Sequence, residues 1–126
     1  KLPARLFDVA LSIPATHKKI ITGAELRASL FLANAGSEKK SVVQLVYIIQ
    51  DAKKKTVLIQ KESLNILQKF SVIKVLRTPP KLKPGKYTLT VELPKEKVSA
   101  RASFEIIKKS SLIHKMVKFA RKLIHR

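Results

Sequence analysis

Apolar and polar residues alternate with a period of two in segment after segment of this chain. That is the spacing of a strand with one face in a core and the other in water, and it is incompatible with an amphipathic helix. Phe7, Val9, Leu11 and Ile13 alternate with Asp8, Ala10 and Ser12, until Pro14, which has no amide to give to a ladder, stops the run. Leu26, Ala28, Leu30 and Leu32 alternate with Arg27, Ser29, Phe31 and Ala33, ahead of the turn residues Asn34-Ala35-Gly36-Ser37. Residues 41–50 are apolar on both faces, with Val43, Leu45, Tyr47 and Ile49 on one and Val42, Val46 and Ile48 on the other, which predicts a central strand. Lysines flank residues 56–61, the mark of a short edge strand. Residues 70–75 predict a further strand, while residues 64–67 fit a strand or a helical turn equally. Residues 18–23 read as an irregular basic connection.

The most specific local signal is Leu82-Lys83-Pro84-Gly85-Lys86-Tyr87. Pro-Gly makes a tight turn. Tyr87, Leu89, Val91 and Leu93 then alternate with Lys86, Thr88, Thr90 and Glu92. A tyrosine that opens a strand just after such a turn is placed to fill the end of the core while its hydroxyl bonds backbone upstream, the tyrosine corner of Greek-key sandwiches. Val98, Ala100, Ala102, Phe104 and Ile106 make the last alternating run. About seven strands with turn signals between them predict an all-β protein, an antiparallel two-sheet sandwich of the immunoglobulin-like kind over residues 1–109. A five-stranded oligonucleotide-binding barrel would leave two strands over. At 126 residues the chain builds one core.

The period changes after residue 109. Ser110 or Ser111 can cap a helix, and at ~100° per residue Leu112, Ile113, Met116, Val117, Phe119, Ala120, Leu123 and Ile124 fall within about 160° of arc. His114, Lys115, Lys118, Arg121, Lys122, His125 and Arg126 take the rest, with no acid among them. Residues 110–126 are therefore predicted to form a basic amphipathic C-terminal α-helix. A helix this short is marginal alone in water and orders against something apolar.

With the strands laid out, the chain resembles the CARDB family, the cell-adhesion-related immunoglobulin-like domains of prokaryotic surface proteins. The resemblance lies in Leu6-Phe7-Asp8-Val9, Gly23-Ala24-Glu25-Leu26, Asn34-Ala35-Gly36 and Leu82-Lys83-Pro84-Gly85-Lys86-Tyr87-Thr88-Leu89, and covers roughly residues 4–107. It implies a sandwich without catalytic residues in a secreted or surface protein. The lysine load and the terminal helix depart from the family pattern.

No motif for a reaction stands out. The chain has no Cys, so disulfides, thiolate metal sites and Cys nucleophiles are excluded. His114 and His125 are eleven residues apart, ~16 Å along a helix, too far to share a metal ion. His17 stands apart in a predicted loop. The acids Asp8, Glu25, Glu38, Asp51, Glu62, Glu92, Glu96 and Glu105 are dispersed, and neither a calcium loop, a phosphate-cradling glycine loop nor a nucleophile elbow is present. No catalytic, cofactor or metal residue is assigned, and the expectation is a protein that is not an enzyme.

Charge is the remaining signal. With 27 Lys and Arg against 8 Asp and Glu the formal net charge is +19. Residues 110–126 carry 5 of those bases and no acid. Such a field attracts anionic bilayers and acidic polymers whatever the fold. The expected contact residues are Leu112, Lys115, Met116, Lys118, Phe119, Arg121, Lys122, Leu123 and Arg126, the cations facing an anionic membrane surface or acidic partner while the apolar side inserts or docks. A second copy of the chain is another expected partner, and nucleic acid a non-specific one, since Lys outnumbers the base-reading Arg by 21 to 6. The chain begins at Lys1 and its only Met is Met116, so a removed leader or a longer parent chain is expected. With the family resemblance this points to the cell surface or the extracellular space, with the cytoplasm as the alternative.

Overall fold

The computed structural model describes residues 6–37 and 40–108. They form eight strands: β1 (Phe7–Ser12), β2 (Lys19–Ile21), β3 (Glu25–Asn34), β4 (Ser41–Asp51), β5 (Thr56–Ile66), β6 (Lys69–Arg77), β7 (Gly85–Leu93) and β8 (Val98–Ile107). One sheet has the order β1-β3-β6, the other β2-β8-β7-β4-β5. The protein is all-β, with the two sheets burying one common core. The expected helix over residues 110–126, all nine contact residues named on it, and the boundary at residue 109 lie outside the described residues.

Strict alternation produces the core. Leu26, Ala28, Leu30 and Leu32 of β3 point inward and are buried, while Arg27, Ser29 and Phe31 between them are exposed. Val43, Leu45, Tyr47 and Ile49 of β4 meet them from the other sheet, with Leu89, Val91 and Leu93 of β7 and Phe104 and Ile106 of β8. Each Leu- or Ile-sized side chain so buried stabilises the fold by about 1.5–3 kcal/mol. β4 lies between β5 and β7, the central position that its two apolar faces predict.

Three expectations are corrected. There are eight strands rather than about seven, because residues 18–23 contain β2. Three residues are too few to display a period; only Ile20 is buried there. The pairing is not wholly antiparallel either, since β2 runs parallel to β8, with Ile20 opposite Ile106. After β1, Pro14 and a single 3-10 turn (Ala15–His17) carry the chain from the first sheet to the second. β1 also packs beside β8, so this side is closed and the sheets curl like a half barrel. Last, β5 continues to Ile66, beyond residue 61, and so settles the ambiguous 64–67 stretch as strand for all but Leu67. Its alternation is hidden because the inward position 62 is a glutamate.

The register gives the molecule two unlike ends. One holds Asn34, whose buried side-chain oxygen accepts the amides of Leu6 and Gly36 at 2.8 and 2.9 Å and so ties the approach to β1 onto the end of β3. The other gathers the β2–β3, β4–β5 and β6–β7 connections and the end of β8: Asp51 lies opposite Tyr87, Gly85 opposite Ile106, and Ile21 opposite Ile107. At this end Thr78 Oγ1 donates to the Ala24 carbonyl at 2.6 Å, and Gly23, at φ +81°, supplies the left-handed backbone that the β2–β3 turn needs.

Candidate functional site

The end that gathers those connections carries a dense group of lysines. The β4–β5 turn contributes Lys53 and Lys55, and the segment leading into β7 contributes Lys81, Lys83 and Lys86. Between the two lies an open cleft of about 450 Å³, floored by Val57, Leu82 and Tyr87. A second depression of about 470 Å³ shares Ala52, Lys86 and Tyr87 with the first and adds Lys18 and Lys19. Among the described residues, the acids along this trough are Asp51 and Glu105.

Both walls are fixed by local chemistry. In the β4–β5 turn, Asp51 Oδ1 accepts the amides of Lys53 and Lys55, each at 2.9 Å. The Asp51 amide donates to the Lys55 carbonyl at 3.0 Å and the Lys54 amide to the Asp51 carbonyl at 2.9 Å. This is a turn of the aspartate-led kind, in which a short acid satisfies backbone donors that the ladder cannot reach. The carboxylate that could neutralise the lysines is thus engaged with the backbone. In the facing wall the Tyr87 hydroxyl donates to the Lys83 carbonyl at 2.6 Å. This is the corner that the Pro84-Gly85-Lys86-Tyr87 signal predicts, and it pins the segment that presents Lys81 and Lys83. The Tyr87 ring stacks on Phe104 with centroids 5.9 Å apart. Burial, and after it the charge of Asp51, holds the Tyr87 hydroxyl above the usual phenol range.

A second cluster sits at the opposite, open side, where edge strands β5 and β6 face each other across the core. Lys74 of β6 and Glu62 of β5 both point inward and form an ion pair that joins the sheets. The Lys74 ammonium lies 5.1 Å from the centroid of the Tyr47 ring. The Tyr47 hydroxyl is buried next to Glu62 without an aligned hydrogen bond. Burial first, and then Glu62, pushes this phenol far above its usual range. Tyr47 is therefore a core residue, whereas Phe31 is 40% exposed on the outer face of the three-stranded sheet beside Ala10.

The described residues contain no group of three His, Asp or Glu side chains able to hold a metal ion, and no helix among them is long and apolar enough to cross a membrane. His17 lies on the 3-10 turn, its ring 3.1 Å from Thr16 Oγ1. The lysine cleft was not singled out by sequence reasoning. The signal was there, in the density of lysines at 53–55 and 81–86, but it reads as a solvated coat until the strand register brings the two connections together.

No family model matches the chain, and no curated protein matches it. Several solved structures are similar to it. A β-glucosidase from Listeria innocua superposes with a TM-score of 0.59 at 16% identity, over 81% of this chain and 16% of that one. A β-glucosidase from Erythrobacter marinus gives 0.59 at 15%, over 82% and 16%. A Pseudomonas fluorescens alkylpurine DNA glycosylase, bound to DNA with an abasic site analogue, gives 0.58 at 16%, over 79% and 30%. The chain spans about a sixth of those glucosidases and under a third of the glycosylase. At such identity the likeness is one of fold alone, and the same fold recurs within proteins of unrelated activity.

Proposed function

We propose that this chain is a non-catalytic, immunoglobulin-like interaction module, akin to the CARDB domains, that docks on an anionic membrane surface outside the cytoplasm. The strand order supports the immunoglobulin-like reading: a three-stranded and a five-stranded sheet, the first strand split between them, and a tyrosine corner at the start of β7. One observation carries the docking reading. β8 ends at the lysine-rich end, so the chain leaves for residues 110–126, with their five cations, from the end that already presents seven lysines around the trough. Both basic elements can then meet one negatively charged plane. Each lysine close to such a surface contributes about 1 kcal/mol, an attraction that fades within a Debye length.

Co-sedimentation of the full chain with vesicles tests the reading. Binding is expected to phosphatidylglycerol and not to phosphatidylcholine, and to weaken steeply in Phe119→Ser/Leu123→Ser. Sedimentation unchanged by that pair of substitutions would remove residues 110–126 from the account. The same chain titrated with duplex DNA over a salt series separates the nucleic-acid reading: a steep salt slope on DNA with no vesicle binding would replace the membrane by nucleic acid.

A further inference from the structure

Surface charge alone would bind anions anywhere on a molecule this basic, so the location and rigidity of the trough matter more than its charge. Lys53 and Lys55 stand on a turn locked by two hydrogen bonds to Asp51 Oδ1, at 2.9 Å each. Lys83 stands on a segment pinned by the Tyr87 hydroxyl at 2.6 Å, and Lys86 opens β7 beside it. Lys53, Lys55, Lys81, Lys83 and Lys86 line one cleft of about 450 Å³, and the one carboxylate among its described lining residues, Asp51, is held by the turn. A preorganised set of like charges has no internal partner to lose when a ligand arrives, and little ordering cost beyond that of the lysine stems. We propose that this cleft is a binding site for an extended, multiply charged phosphoryl anion, which spans from the β4–β5 turn to the Lys83–Lys86 wall. The proposal rests on the charge-driven docking reading above and gives it a discrete seat.

The chemistry favours phosphate chains over other anions of similar charge. Lysines act as point charges with three rotatable donors each, which suits tetrahedral phosphoryl oxygens in several orientations, whereas a planar carboxylate is best matched by the guanidinium fork, and among the described residues no arginine lines the trough. The aromatic ring at the floor is Tyr87, which is 5% exposed, so it offers no face on which a nucleobase could stack. The continuation toward Lys18 and Lys19 accommodates a second phosphoryl unit and not merely one. The phosphoryl group could belong to a lipid headgroup or to a soluble polyphosphate, and the two sources are separable.

The experiment is calorimetric titration of the full chain with inorganic tripolyphosphate at fixed ionic strength. The cleft variant is Lys53→Gln/Lys83→Gln/Lys86→Gln, and the charge-matched control is Lys61→Gln/Lys69→Gln/Lys95→Gln, whose positions lie away from the trough. Expected is saturable binding that weakens about tenfold in the cleft variant and less than about twofold in the control. Equal losses in the two variants, or no saturable binding to the wild-type chain, overturns the proposal. Thermal melting verifies that each variant folds, and Lys83→Gln alone carries the comparison if the triple does not. Tripolyphosphate is then added to chain bound on phosphatidylglycerol vesicles, and its release of the chain identifies the headgroup as a natural source. Wild-type chain that binds tripolyphosphate but not vesicles retains the cleft and removes the membrane reading. Chain that binds vesicles but not tripolyphosphate does the reverse.

Discussion

Lys54 has a backbone φ of +66°, and Lys97, in the turn between β7 and β8, has +57°. Side chains with a Cβ are strained in this left-handed region, which glycine enters freely. Lys54 is exposed and does not line the cleft, so its side chain has little to lose. Lys54→Gly is expected to stabilise the protein by about 0.5–1 kcal/mol after allowing for the looser unfolded chain, seen as a melting temperature higher by a few degrees. Tyr87→Phe acts in the other direction. It removes the donor to the Lys83 carbonyl and is expected to cost about 1 kcal/mol while the stack on Phe104 keeps the core filled. Tyr47 gives a pH signature. Folded, it holds its proton to higher pH than the unfolded chain, whose tyrosines ionise near pH 10. The unfolded state then binds fewer protons as the pH rises, so stability present at neutral pH is lost from about pH 10 upward. Denaturant midpoints at pH 8 and pH 11 are expected to differ less in Tyr47→Phe than in the wild type.

At the level of whole strands, the open side shows how two exposed ladder edges coexist in one fold. Among the described residues, β5 pairs only with β4, and β6 only with β3. β6 also shows water Ile73, 63% exposed, and Val75, 43% exposed. An apolar edge of this kind invites pairing with another chain, and an inward-pointing charge discourages it. Lys74 and Glu62 are those charges, and their pairing spans the gap between the sheets. Lys74→Met alone is expected to destabilise by about 1–2 kcal/mol, because it leaves the half-buried Glu62 without its cation. Lys74→Met/Glu62→Met is expected to recover most of that loss while the protein gains concentration-dependent association, readable by light scattering. An association-free double variant would show that the ion pair does not guard the edge. The same pair explains what the amino-acid pattern conceals. β1, β3, β7 and β8 are legible because burial at every second position leaves a strict alternation, and β4 because both of its faces are apolar. β5 is legible only over residues 56–61, because Glu62 occupies a core-facing position, and β2 is not, because its partner is 86 residues further on and only Ile20 is buried. The lysine trough is illegible for a related reason: its residues come from the separate segments 18–19, 53–55 and 81–86, and only the pairing of β7 with β4 and β8 makes them neighbours.

Taken whole, a 14.2 kDa molecule with a net charge of +19 repels itself. Screening should relieve this, so the melting temperature is expected to rise between low and moderate sodium chloride, where the Debye length shortens from roughly 30 Å to 10 Å. Tripolyphosphate should raise it further at equal ionic strength, by about 2.7 kcal/mol of stability at a hundredfold excess over the dissociation constant. An identical rise with sulfate at matched ionic strength would reduce the effect to screening. The two unlike ends have a last consequence. The Asn34 latch holds Leu6 at the pole opposite the lysine trough, and β7, nine residues long, measures about 30 Å at ~3.3 Å per residue. A body joined ahead of β1 would therefore be held off from whatever the basic pole bound by a stand-off of that length, and the fold would then act as a pedestal as well as a handle.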